Sequence, residues 1–268
     1  MLENIVEVKK LKTIFNTESG IKEVVKGISF GIKKGKITCI VGESGSGKSV
    51  TVTSMIKMLP KNASISEGNI LFHGQDLTKI TDKEMREIRG KKIFSIFQNP
   101  MNCFNPSLTM GTQIYDLISS NIKLGRKEFE TKFCEIMKNV NLENPLEILN
   151  QYPFQLSGGM LQRMMIAAAI FMKPDIIIAD EPTTALDVTT QKEILKQFKI
   201  IQKKSNTTIL MITHDFGVVA EIADEVLVMQ EGCIVEKGNV FEIFNNPKHS
   251  YTISLIKATF DREVEEVC

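Results

Sequence analysis

An apolar run that enters a glycine-rich turn constrains this chain more than any other feature. Lys36-Ile37-Thr38-Cys39-Ile40-Val41 reads as a short buried strand, and Gly42-Glu43-Ser44-Gly45-Ser46-Gly47-Lys48-Ser49 follows it directly. The octet fits G-x-x-x-x-G-K-S in the context that motif needs: a strand before it and a helix after it, expected from about Lys48 to Leu59 and stopped by Pro60. Glycines let the backbone turn tightly and aim its amides at phosphate oxygens. The helix start adds partial positive charge. Lys48 is suited to reach the outer phosphates of a nucleotide, and Ser49 to set its hydroxyl on Mg²⁺. The bland alternative is a flexible Gly/Ser loop ahead of a helix, and the strand-to-helix context weighs against it.

Further strands are expected over Ile5 to Val8, Ile28 to Ile32, Gly68 to Leu71 and Lys92 to Phe97. From about Gly111 to Gln151 the pattern turns helical, with Phe129, Phe133, Ile136, Met137 and Val140 on one face. Strands and helices then alternate: a strand from Ile176 to Ala179, a helix near Thr190 to Lys203, a strand from Thr208 to Ile212 and a helix near Phe216 to Ala223. A hairpin follows around Gln230-Glu231-Gly232. Such alternation with apolar strands implies a parallel sheet covered by helices, an α/β fold. A formal net charge of +1 gives no reason to expect nucleic acid as a main partner. The apolar run Met164 to Met172 is far short of a membrane span, which needs about 20 residues. No secretion signal is expected from Met1-Leu2-Glu3-Asn4. The five scattered cysteines form no metal-binding spacing and are expected as reduced thiols.

Two further stretches carry chemistry. Ile176-Ile177-Ile178-Ala179-Asp180-Glu181 is an apolar strand ending in two carboxylates. Asp180 suits the Mg²⁺ shell, and Glu181 suits the polarising of an attacking water beside the γ-phosphate. The alternative is a solvated acidic turn. Leu156-Ser157-Gly158-Gly159 precedes an apolar helix beginning near Met160. Ser157 with the amides of Gly158 and Gly159 makes a second anion cradle at a helix start, or simply a serine N-cap with a glycine turn. One domain has no need of two cradles for one nucleotide. A head-to-tail dimer, each nucleotide held between one chain's phosphate loop and the other's Ser157-Gly158-Gly159, resolves the excess.

In order and spacing, the phosphate loop, Gln98, Leu156-Ser157-Gly158-Gly159, Asp180-Glu181 and His214 resemble the ATP-binding-cassette family over nearly the whole chain. The resemblance implies a RecA-like P-loop NTPase core with an antiparallel β subdomain and an inserted α-helical subdomain. The core would span 1–98 and 159–240, the helical insert 99–158 and a short helical extension 241–268. It implies ATP and Mg²⁺ as ligands, Gln98 as the loop glutamine sensing Mg²⁺ and water, and Ala185-Leu186-Asp187 as a dimer contact. It also implies His214 as a γ-phosphate contact. Phe15 stands where family members stack an aromatic on adenine, and it equally suits a core position. The loop after Gln98, including Phe104 and Leu108, either meets a permease helix or packs internally.

Several segments resemble the importer branch that handles oligopeptides and nickel: the phosphate loop, Asp180 through Asp187, Phe104-Asn105-Pro106-Ser107-Leu108-Thr109 and Asn246-Pro247-Lys248-His249-Ser250-Tyr251-Thr252. Within it, Tyr152-Pro153-Phe154 with the segment Leu156 to Ala167 is most similar to the nickel-import ATPases, and the short tail ending at Cys268 points the same way. The expectation is an ATPase at the cytoplasmic face of the membrane. It pairs with a second, non-identical cassette chain, drives a separate permease and is served indirectly by an external substrate-binding protein. Nickel or a metal chelate is the expected cargo, with dipeptide or oligopeptide import as the alternative. A non-transport cassette of the translation or DNA-repair kind is more remote, since those carry tandem cassettes or a long coiled coil.

Overall fold

A computed structural model describes residues 3–184 and 186–265. Ala185, Met1-Leu2 and Cys268 lie outside the described residues. The chain forms two compact units, one from residues 1–86 and 208–268, the other from 87–207.

The first unit opens with two 14-residue strands, β1 (Asn4–Thr17) and β2 (Gly20–Lys33), paired antiparallel with Val8 opposite Phe30 and Thr13 opposite Val25. β3 (Ile37–Val41) is buried at every residue and leads into the phosphate loop and α1 (Lys48–Met55). The helix stops short of Pro60 because Lys57 adopts φ +50 and the Met58 amide turns back to the Thr53 carbonyl. β4 (Ala63–Phe72) pairs with the other edge of β1, β5 (Gln75–Asp76) adds a short edge, and α2 (Asp82–Ile88) follows.

In the second unit, β6 (Ile93–Ile96) runs parallel to β7 (Ile176–Asp180), with Ile96 opposite Ala179. Between them in sequence come α3 (Met110–Ser119), α4 (Arg126–Asn139), α5 (Pro145–Asn150) and α6 (Gly158–Met172). The apolar stripe expected on α4 is the core of this unit: Phe129, Phe133 and Met137 are fully buried, and Phe171 of α6 packs its ring against both phenylalanines. Burial of each such side chain contributes about 1.5–3 kcal/mol. Apolar on most faces, α6 is buried along most of its length. After β7 comes α7 (Val188–Ser205), N-capped by Asp187, whose carboxylate accepts the Thr190 amide at 3.0 Å. The hydroxyl of Thr190, and after it the amide, hold that carboxyl below its ordinary range.

Returning to the first unit, β8 (Thr208–Thr213) pairs parallel with β3, α8 (Phe216–Ile222) follows, and β9 (Glu225–Gln230) pairs parallel with the other side of β3. β10 (Cys233–Asn239) turns back on β9 through Glu231 (φ +47) and Gly232 (φ +85), the two left-handed residues a tight hairpin requires. Finally, α9 (Val240–Asn245) and α10 (Ser250–Glu265) close the unit. Cys39, buried in the middle of β3, has its thiol pushed up to about 12 by burial, and Asp224 adds to the shift. It is therefore an inert packing residue. Among the described residues, no helix is long and apolar enough to cross a membrane, and no group of metal-ligating side chains is assembled.

Candidate functional site

β3, flanked by parallel β8 and β9, delivers the phosphate loop at the carboxyl ends of its strands, where open α/β sheets bind ligands. The loop is seated too closely for side chains at two of its glycines. A Cβ on Gly42 would lie 2.0 Å from the Met229 carbonyl oxygen, and one on Gly47 would lie 3.0 Å from the Val24 oxygen. Gly47 also carries φ +102 where it caps α1. Lys48 is buried, 4% exposed. Its ammonium donates to the Gly42 carbonyl at 2.7 Å and the Glu43 carbonyl at 2.8 Å. The Ser46 hydroxyl is buried and has no hydrogen-bond partner among the described residues. A buried ammonium, a buried hydroxyl awaiting a partner and a helix start together make an anion cradle that fits a nucleotide's phosphates. Ser44 and Gly45 complete the loop's outer turn, and Ser49 is the second residue of α1.

His214 and Phe15 belong to the same unit. His214 follows β8 and is exposed; the next residue, Asp215, caps α8 by accepting the Gly217 amide at 2.7 Å. Phe15 is half-buried on β1, opposite Ala63. It shares a face with Thr13, two residues before it. The Thr13 hydroxyl meets that of Ser54 on α1 at 2.9 Å, so this face looks toward the helix that follows the phosphate loop.

Gln98, Asp180, Glu181 and Ser157 belong to the second unit. Because β6 and β7 are parallel neighbours with Ile96 opposite Ala179, Gln98 and Glu181 leave matching strand ends two residues further on. Their side chains meet, with Gln98 Nε2 donating to Glu181 Oε2 at 2.9 Å. The Thr184 hydroxyl donates to the same oxygen at 3.0 Å. Glu181 adopts φ +46, a left-handed backbone that costs a non-glycine residue about 1–3 kcal/mol and that concentrates at functional sites. Asp180 ends β7 one residue earlier. Oxygen donors from Ser49, Gln98 and Asp180 are of the kind a hard cation such as Mg²⁺ takes.

Both sequence readings of Ser157 describe its position. Ser157 is the N-cap of α6 and accepts the Met160 amide at 3.2 Å. It is also exposed, as is Gly158, so the start of this long helix faces outward. Ser157→Ala is therefore expected to lower stability by about 0.5–2 kcal/mol through cap loss. Thermal melts of the variant beside its ATPase rate separate that cost from any loss of turnover. Sequence reasoning assigned no role to Thr184, which holds Glu181, or to the Ser46 hydroxyl beyond its place in the loop. Neither carries a signal stronger than its position in a motif.

Comparison with known proteins agrees with this architecture. The family model described as ABC transporter matches residues 25–184. The dipeptide transport ATP-binding protein DppD of Bacillus subtilis is 46% identical over 95% of this chain and 76% of its own length. The oligopeptide transport ATP-binding protein OppD of Lactococcus lactis subsp. cremoris is 43% identical over 96% of this chain and 76% of its own. Neither is named for nickel, so the resemblance drawn from the segment around Ser157 does not carry through to these relatives. Among solved structures, the dimeric post-hydrolysis state of the ATP-binding cassette MJ0796 bound to ADP and Pi superposes with a TM-score of 0.79 at 27% identity, covering 88% of this chain and 98% of that one. CbiO1 from Clostridium perfringens, part of the CbiONQ transporter complex, gives a TM-score of 0.75 at 29% identity and covers 99% of both chains. With its phosphate loop, its signature Leu156-Ser157-Gly158-Gly159 and this fold, the chain belongs to the ABC transporter family as an ATP-hydrolysing cassette.

Proposed function

We propose that this chain is one of two motor subunits of a peptide importer, bound at the cytoplasmic face of the cell membrane. The observation that carries the reading is its set of relatives at 40–46% identity, named for dipeptide or oligopeptide transport. That likeness runs along more than nine-tenths of the chain, whereas the likeness to nickel importers rests on one short stretch and on the short tail. In this role the residues between Gln98 and Ser157 form the helical subdomain that grips a permease, and an external binding protein supplies the cargo. The core falls in 1–98 and 159–240, and 241–268 is an extension.

The chemistry follows from the side chains. The backbone from Gly42 to Ser49 cradles the β- and γ-phosphates, and the Lys48 ammonium leaves the carbonyls of Gly42 and Glu43 for phosphate oxygens. Phe15 offers a ring face to adenine. Ser49, Asp180 and Gln98 are the residues to hold Mg²⁺, which when bound neutralises phosphate charge. Glu181 orients the attacking water and accepts its proton, while His214 contacts the γ-phosphate. The second cassette, a homologous and non-identical chain, closes the site with its own signature serine and helix start, which take up the charge that spreads in the transition state. Losing the γ-phosphate removes what bridges the two cassettes, and they separate.

Cargo is tested by deleting the gene and following uptake of a labelled peptide series and of radioactive nickel in the same cells. Peptide uptake is expected to fall to background with nickel uptake intact. Loss of nickel uptake with peptide uptake retained would overturn the peptide reading.

A further inference from the structure

The phosphate loop is gripped by two residues from the end of the chain. Tyr251, near the start of α10 and buried, accepts the Glu43 amide on its phenolic oxygen at 3.0 Å. The Gly232 amide, at the tip of the β9–β10 hairpin, donates to the Ser46 carbonyl at 2.9 Å, and the Gly232 carbonyl accepts the Lys26 amide of β2 at 2.9 Å. Both grips trace back to β10. Its Glu236 carboxylate accepts the Lys248 amide at 2.8 Å and the His249 amide at 3.0 Å, which anchors the turn leading into α10. The His249 Nδ1 then accepts the Tyr251 amide at 3.3 Å. Within the loop, the Ser46 amide donates to the Glu43 carbonyl at 3.2 Å, so the two gripped residues are themselves joined.

We propose that Tyr251 is a positioning residue for nucleotide binding: by holding the Glu43 amide, it keeps the phosphate loop in its open cradle while Lys48 exchanges partners. The Glu43 peptide explains why the contact matters. Its carbonyl, like that of Gly42, holds the Lys48 ammonium before nucleotide arrives. When Lys48 leaves for the phosphates, that carbonyl loses a charged donor. The tyrosine hydroxyl on the same residue's amide is a restraint that does not depend on the lysine. Without it, the loop that receives the phosphates is less pre-organised, and the cost of ordering it falls on binding. Glu236 acts one step further out, through Tyr251. Because the contact is made to backbone, the identity of the side chain at position 43 is irrelevant to it.

The proposal rests on the phosphate loop being the nucleotide site, and the experiment keeps the two ideas apart. Tyr251→Phe, Lys48→Ala and Glu43→Ala are made in the full chain, alone and as Tyr251→Phe with Glu43→Ala, and the Kd for a fluorescent ATP analogue, kcat and Tm are measured. Tyr251→Phe is expected to weaken binding about 3- to 10-fold, the loss of one hydrogen bond, with kcat at the wild-type value and Tm lowered by no more than about 1–4 °C, the share of that one bond. The same shift is expected in the Glu43→Ala background, since the amide remains. Unchanged binding in Tyr251→Phe, beside a large loss in Lys48→Ala, would overturn the clamp and leave the site standing. A fall in Tm well beyond that, together with a fall in kcat, would make Tyr251 a packing residue and overturn the proposal too. A Lys48→Ala protein that binds as wild type would instead remove the nucleotide site from this loop.

Discussion

Glu181→Gln binds ATP as tightly as the wild-type chain and turns it over about 10²–10⁴-fold more slowly, the contribution of a positioned base. The amide replaces one carboxylate oxygen with a nitrogen but keeps the other. Gln98 Nε2 and the Thr184 hydroxyl both donate to Glu181 Oε2, and a glutamine oxygen turned to the same place accepts both. Those two contacts are therefore kept while the basicity is removed. Glu181→Ala is a poorer experiment, because it strips the partner from both donors and mixes a local rearrangement with the chemical loss. Equilibrium binding of a labelled nucleotide together with steady-state phosphate release checks the result. Phosphate release within a few-fold of wild type would take Glu181 out of the base role.

Lys48→Ala loses ATP affinity by roughly a hundredfold or more, because charge-assisted hydrogen bonds contribute about 1.5–3 kcal/mol each and the lysine is proposed to reach two phosphates. Unlike the glutamate change, this one also disturbs the nucleotide-free chain. The ammonium is buried and bonded to the carbonyls of Gly42 and Glu43. Truncation leaves those acceptors without it, at about 1–3 kcal/mol for each buried group that finds no new partner. The melting temperature should therefore fall without ligand, and added ATP should fail to raise it. Isothermal titration with ATP, read beside melts at several ATP concentrations, separates the two effects. A variant that ATP still stabilises as strongly as the wild type would contradict the assignment.

The parts of this molecule that were legible in the sequence are those where local pattern and tertiary role coincide. β3 and β7 are short apolar runs closed by a phosphate loop and by paired carboxylates, and both lie where the pattern puts them. The α4 stripe of Phe129, Phe133 and Met137 is likewise a core face. The first half of β2 was not legible, because Gly20 to Glu23 are exposed and carry no alternation, and only their pairing with β1 makes them a strand. The early end of α1 was missed for a similar reason. Pro60 is a visible stop signal, whereas a lysine adopting a left-handed backbone at position 57 leaves no trace in composition. Within the candidate site, motif residues could be named singly. The Gln98–Glu181 hydrogen bond could not, since it depends on two distant strands being parallel neighbours in one particular register. The hold of Tyr251 on Glu43 depends in the same way on how the last helix meets the loop.

The left-handed backbone at Glu181 also bears on how a cassette of this shape decays. Where hydrolysis is no longer needed, the position can drift, but not toward every residue at equal cost. Glycine, asparagine and aspartate adopt that backbone readily, whereas valine, isoleucine and threonine crowd it. A silent descendant of this protein would therefore most easily keep its shape by shortening the glutamate, which preserves the turn after β7 while drawing the carboxylate back from Gln98 and Thr184.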